Sequence, residues 1–207
     1  MKKKTIAILM AAMLVCGGAI GATVAWLTDS TDTIVNTFTY GNVDITLTET
    51  KPDNYTAKMI PGSVIEKDPK VTVEAESEPC YVFVKITPST DPAYSTYFGE
   101  FTSDDVNTDN WTALTGVPNV YYKDVDPNSG APLSQDEVYY ILKGTTNPNG
   151  EVLVDENVSK ADMDALDEDT GYLPKLTFKA FAIQKANVGS VAEAWDKVKP
   201  AESQTTP

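Results

Sequence analysis

Along much of its length the chain alternates apolar and polar side chains with a period of two. Val43, Ile45 and Leu47 alternate with Asp44, Thr46 and Thr48, and Val71 and Val73 with Thr72 and Glu74. Val82, Val84 and Ile86 face one way while Tyr81, Phe83 and Lys85 face the other. Successive side chains of a strand point to opposite faces of a sheet, so this pattern fits half-buried strands and does not fit a helix. Further β-prone runs cover residues 33–39, 120–123, 137–142, 151–155 and 176–184. Turn chemistry separates them: Tyr40-Gly41-Asn42, Ile60-Pro61-Gly62, Asn147-Pro148-Asn149-Gly150 and Asp169-Thr170-Gly171. Helix signals are few. Ser159 with Asp162 reads as a capping box, and Ser190 stands ahead of Val191, Ala194, Trp195 and Val198 at helical spacing. The expectation is an all-β chain: an antiparallel, jelly-roll-type β-sandwich over residues 41–199, with one or two short helices near the C-terminus. Residues 88–118, rich in Asp, Asn, Thr and Tyr and weakly periodic, read as a polar insertion with a short helix near 98–106. The polar residues 200–207 read as a disordered tail.

The first 25 residues follow a different logic. Lys2, Lys3 and Lys4 precede an apolar run from 5 to 15, and small residues then crowd positions 17–25. This is the layout of a secretory signal peptide, with Thr23 and Ala25 as the small residues before a cut between Ala25 and Trp26. The alternative is an uncleaved anchor, since residues 5–27 are long enough to cross a bilayer. With cleavage, the membrane is met only transiently, during export.

Composition sets the limits on chemistry. The 207 residues contain 30 acids, 16 lysines, no arginine and no histidine, for a net charge of −14. No acid lies in residues 1–25, so their removal leaves 13 lysines against 30 acids, a charge of −17. A chain this acidic lacks the electrostatic footprint of a nucleic-acid binder. Without histidine there is no imidazole base, no histidine triad and no HExxH zinc site. Cys16 falls in the leader and Cys80 is the single cysteine of the mature part, so no intramolecular disulfide can form. A buried structural thiol is the expectation for Cys80, because a catalytic one needs a cationic partner.

Three residue groups invite a ligand, each with a plainer reading beside it. Asp124, Asp126 and Asn128 place oxygens at alternate positions, as a Ca²⁺ loop does. Ser129 and Gln135 stand where an EF-hand needs its glycine and bidentate glutamate, and a tight turn uses the same residues. Asp162, Asp164, Asp167, Glu168 and Asp169 form the densest acidic cluster, read as a solvated face. Tyr94, Tyr97, Phe98, Trp111, Tyr121 and Tyr122 suit either a sugar-stacking platform or a core. The new N-terminus at Trp26 carries the β-prone segment 33–39, which can pair with its own sheet or with the open edge of a neighbour.

Several of these stretches together resemble one family. Gly21-Ala22-Thr23-Val24-Ala25 runs into Trp26-Leu27-Thr28-Asp29, then Asn36-Thr37-Phe38-Thr39-Tyr40-Gly41-Asn42-Val43; Pro61-Gly62 and Lys67-Asp68-Pro69 precede the strand at Val71. Near the C-terminus, Leu176-Thr177-Phe178-Lys179-Ala180-Phe181-Ala182-Ile183-Gln184 leads to Ala192-Glu193-Ala194-Trp195. The pattern is similar to that of the TasA/camelysin family of Gram-positive bacteria, over residues 1–87 and about 172–198. The resemblance implies a secreted jelly-roll subunit of extracellular biofilm-matrix fibres, found in the matrix or at the cell surface. It implies a leader cut by a SipW-type signal peptidase, and partners that are further copies of the chain and an accessory matrix protein. It also implies that residues 26–40 are donated as a strand to the next subunit, with Leu27, Ile34, Val35 and Phe38 filling its pockets. The family includes reputed metallopeptidases, but the usual zinc ligand sets are missing here, so the expectation is a protein without enzymatic activity or cofactor. A monomeric surface adhesin or carbohydrate-binding module, using residues 88–122, is the competing expectation.

Overall fold

The computed structural model describes residues 42–50, 59–167, 170–186 and 188–200. The expected leader (1–25), the segment 26–40 and residues 201–207 of the expected tail lie outside the described residues. Nine strands occur among the described residues: β1 (Ile45–Thr48), β2 (Val64–Glu66), β3 (Lys70–Val73), β4 (Cys80–Pro88), β5 (Thr112–Ala113), β6 (Val120–Val125), β7 (Glu137–Tyr140), β8 (Glu151–Leu153) and β9 (Leu176–Gln184). One sheet has the order β1-β3-β7, a second β5-β6-β4-β9, and β2 with β8 forms a separate ribbon. Every ladder is antiparallel. The chain moves repeatedly from one sheet to the other, so this is an all-β antiparallel sandwich of the expected class.

The alternation in the sequence decides which side chains meet between the sheets. Val71 and Val73 of β3 and Cys80, Val82, Val84 and Ile86 of β4 are fully or almost fully buried in one core cluster with Tyr121, Val125, Ile141 and Trp111. Ile45, Tyr139, Phe178, Ala180 and Ala182 pack around it from the flanking strands. Each such aliphatic contributes about 1.5–3 kcal/mol by leaving water. On its other face β4 is also covered. Phe83 is buried against Trp195, with ring centroids 5.3 Å apart, and Phe181 of β9 meets the same indole edge-on at 5.7 Å. Burial on both faces explains why residues 81–84 are all apolar in a chain that otherwise alternates.

Three short helices accompany the sheets: α1 (Tyr94–Phe98), α2 (Lys160–Asp164) and α3 (Val191–Val198). Two start as their capping residues require. Ser159 accepts from the Asp162 amide while Asp162 accepts from the Ser159 amide, and Ser190 accepts from the Glu193 amide. The segment 88–118 is more than a polar insertion. It carries α1, a 3₁₀ turn (Ser103–Asp105) and β5, and it buries Tyr94, Tyr97, Val106, Trp111 and Leu114. Tyr94 and Tyr97 sit on α1, while Val106, Trp111 and Leu114 flank the 3₁₀ turn and β5, and elements of two to five residues are too short to impose one period, which is why the sequence reads as a loop. The same brevity hides β2 and β5. Tyr97 belongs to a third cluster with Val154 and Val158 beneath the β2–β8 ribbon. Gly150 fixes the entry to β8: its φ is +128°, and a Cβ there would lie 2.4 Å from the Lys67 carbonyl oxygen.

Candidate functional site

A sandwich has open edges, and here they differ greatly in length. β9 is the outermost strand of its sheet, hydrogen-bonded to β4 on one side and to no strand on the other among the described residues. β1 and β7 close the other sheet with four residues each, and β5 has two. At about 3.4 Å per residue, β9 offers about 30 Å of edge and β1 about 14 Å. β1 runs close to β9 without a ladder between them, and it is too short to shield the whole of β9.

The side chains of β9 match this open position. Leu176, Phe178, Ala180 and Ala182 face the core opposite Pro88, Ile86, Val84 and Val82 of β4. Their β4 neighbours Val82, Val84 and Ile86 are at most 1% exposed, yet all four β9 residues remain half-buried. Leu47, on the inward face of β1, is 37% exposed. Apolar side chains that point inward and are only half-buried mark the side where the sandwich is least closed among the described residues.

Charge adds a second peculiarity. Residues 170–192 contain no Asp or Glu and three lysines, Lys175, Lys179 and Lys185, within a chain of net charge −14. Lys185, just beyond β9, is held by Asp124 at 2.8 Å and Asp126 at 3.4 Å. The other two are exposed, and Lys179 lies directly opposite the exposed Lys85 of β4. None of Lys85, Lys175 and Lys179 has an ion pair among the described residues. Like charges directly opposite on a sheet are unfavourable, and uncompensated lysines are unusual in so acidic a chain. With Thr87 and Thr177 they form a basic, hydroxyl-bearing stripe on the outer face, beyond the part that α3 covers.

The other sequence candidates resolve differently. Asp124 and Asp126 do come together, but around the Lys185 ammonium, while the Asn128 amide donates to the Pro132 carbonyl at 2.7 Å. The Gly130 amide, at 2.6 Å, and secondarily Lys185 hold the Asp126 carboxyl below its usual range. This is the geometry of a turn. No three Cys, Asp or Glu gather to hold a metal among the described residues. In the acidic cluster, Asp162 caps α2, Asp164 pairs with Lys160 at 2.6 Å, and Asp167 accepts from the Thr170 amide. Glu168 and Asp169 lie outside the described residues. Of the six aromatic residues that suited either a sugar-stacking platform or a core, four are buried, while Phe98 and Tyr122 are half-buried. Trp111 is 2% exposed, with Nε1 donating to the Tyr140 carbonyl at 2.9 Å, and Tyr94, Tyr97 and Tyr121 are buried as well. Cys80 is fully buried, and burial, with Asp124 adding to it, pushes its thiol up to about 12. Ala25, Trp26, Leu27, Ile34, Val35 and Phe38 lie outside the described residues.

The edge itself escaped the sequence reading, which finds the strand at 176–184 and not its place in the sheet. The acid-free stretch around it is the signal that points there. No helix among the described residues is long and apolar enough to cross a membrane. No family model and no curated protein matches the chain. Among solved structures, a chain of the CaDoc0917–CaCohA2 complex crystallised at pH 5.5 is similar over 60% of this chain and 79% of that one, at 15% identity and a TM-score of 0.31.

Proposed function

We propose that this protein is a secreted structural subunit that polymerises into extracellular fibres of a Gram-positive biofilm matrix. Each copy donates its mature N-terminal strand, residues 26–40, to the sheet edge of a neighbour. The observation that supports this reading is the edge of β9: nine residues long, with no strand paired on its outer side among the described residues and its inward apolar row only half-buried. A strand added there gains main-chain ladder bonds and covers Phe178, Ala180 and Ala182, and Ile34 and Phe38 supply the apolar side chains to do so. A segment of one copy paired with a sheet edge of the next makes a head-to-tail contact, which grows into a filament when it does not close. Export uses the leader 1–25 and a SipW-type signal peptidase cutting between Ala25 and Trp26; an accessory matrix protein is the second partner. The protein performs this role without enzymatic activity or cofactor.

Negative-stain microscopy and sedimentation of the mature protein, with and without residues 26–38, test the reading. Filaments are expected from the mature chain and soluble monomers from the truncated one. Filaments from both would remove the donated strand, and absence of filaments from the mature chain would remove the fibre role.

A further inference from the structure

The sequence charge along the free edge of β9 is the opposite of that along the segment proposed to meet it. Residues 170–192 carry Lys175, Lys179 and Lys185 and no acid, whereas residues 26–40 carry Asp29 and Asp32 and no lysine. Lys185 is already engaged by Asp124 and Asp126, which leaves Lys175 and Lys179, with Lys85 beside Lys179, exposed and without an ion pair among the described residues. The stripe is kept although Lys85 and Lys179 oppose each other across the ladder, an arrangement that weakens an isolated sheet.

We infer that Lys175, Lys179 and Lys85 are the specificity-determining residues of the β9 edge, selecting the acid-bearing segment 26–40 of a second copy over other strands. The inference rests on the fibre reading and adds to it the means of selection. A nine-residue edge with no strand paired to it among the described residues, and of which the nearby β1 covers only a part, can accept other extended chains, including the β9 edge of another copy. Two β9 edges brought together place lysines against lysines and repel. The segment 26–40 brings aspartates and no lysine, so it alone of these two meets an attractive field. Charge of this kind discriminates between partners and guides encounter more than it adds raw affinity. The ladder and the apolar row hold the strand once it is in place.

A charge-reversal mixture tests this on the full mature chain. Lys175→Glu with Lys179→Glu reverses the edge, and Asp29→Lys with Asp32→Lys reverses the segment. Each double variant alone is expected to lose about tenfold in the rate of filament formation, from two attractive pairs turned repulsive. Mixed together they should recover it, because every contact in an alternating filament is then complementary. Circular dichroism of each variant confirms the fold. Variants that assemble like the wild type, or a mixture that does not recover, overturn the inference. A second arm stands apart from filament growth: a fluorescent peptide of residues 26–40 is titrated against the wild-type chain and the Lys175→Glu/Lys179→Glu chain. Binding weakened about tenfold by the reversal supports the inference. Absent or indifferent binding overturns it. Wild-type protein that binds the peptide in this way but forms no filaments would remove the fibre role and leave the edge selection standing.

Discussion

Trp111 is the residue whose role changes most between sequence and structure. In sequence it lies among Asp, Asn and Thr and invites a binding role; in the fold it is 2% exposed and donates to Tyr140. Replacing it with Ala should cost about 3–5 kcal/mol through the cavity left behind. Trp111→Phe should cost about 1 kcal/mol, because the Asn110 side chain still donates to the same carbonyl at 3.1 Å. Urea denaturation of the two variants checks both. Glu151 is a second informative residue. Partial burial works to raise its pKa, but hydrogen bonds from the Thr146 hydroxyl and the amides of Asn147, Thr145 and Thr146 win and bring it to about 2. A depressed carboxyl stabilises the fold above its unfolded pKa of about 4.3 and loses that contribution as pH falls toward 2. Glu151→Gln should therefore lower stability at pH 7, by about 1 kcal/mol after allowance for solvent screening, and should flatten the acid limb between about pH 4.5 and 2. Unfolding midpoints measured from pH 7 to 2 decide it; a variant curve parallel to the wild type would contradict it.

At the scale of elements, α3 is legible from end to end. Ser190 caps it, Glu193 and Lys197 pair at 2.7 Å across one turn, and Trp195 lands on Phe83 and Phe181. The periodicity of Val191, Ala194, Trp195 and Val198 already carried this in sequence, because eight helical residues suffice to show a face. Ser190→Ala should cost about 1 kcal/mol through loss of the cap. Trp195→Ala should cost about 3–5 kcal/mol and expose the outer face of β4, speeding proteolysis within residues 188–200. Limited proteolysis with mass mapping reads this; unchanged cleavage would mean that α3 does not anchor there. By contrast β2, β5 and the 3₁₀ turn have two or three residues each, and β2 is fixed by a distant partner, with Leu153 opposite Val64. No local pattern of that length separates a strand from a loop.

For the whole molecule, charge is the controlling quantity. On the fibre reading, copies without residues 1–25 would carry a charge of −17 and repel over a Debye length, which shrinks from about 30 Å at 0.01 M salt to about 8 Å at 0.15 M. In the proposed contact the main-chain ladder and the apolar row act over a few ångströms and do not depend on salt in this way, whereas the exposed Lys175 and Lys179 are screened together with the repulsion. Filament yield should therefore rise from 0.01 to 0.15 M salt, with millimolar divalent ions, and as exposed carboxylates protonate below about pH 5. Light scattering and sedimentation across these conditions measure it, and a yield indifferent to all three would contradict this account.

The sequence by itself determined that the chain is β-rich, where its longer strands and its capped helices lie, and that β4 buries its alternating aliphatics. Those features follow from side-chain direction within single elements, a property of neighbours in the chain. It also determined the absence of histidine chemistry, since that depends on composition alone. Only the tertiary structure decided that Trp111 is core, that Asp124 and Asp126 surround a lysine, and that β9 ends its sheet among the described residues. Each of these is set by pairing between residues tens of positions apart, as Lys185 with Asp124 and β9 with β4. Strand order within a sheet leaves no mark on local alternation, because the pleat is the same for a central strand and an edge strand.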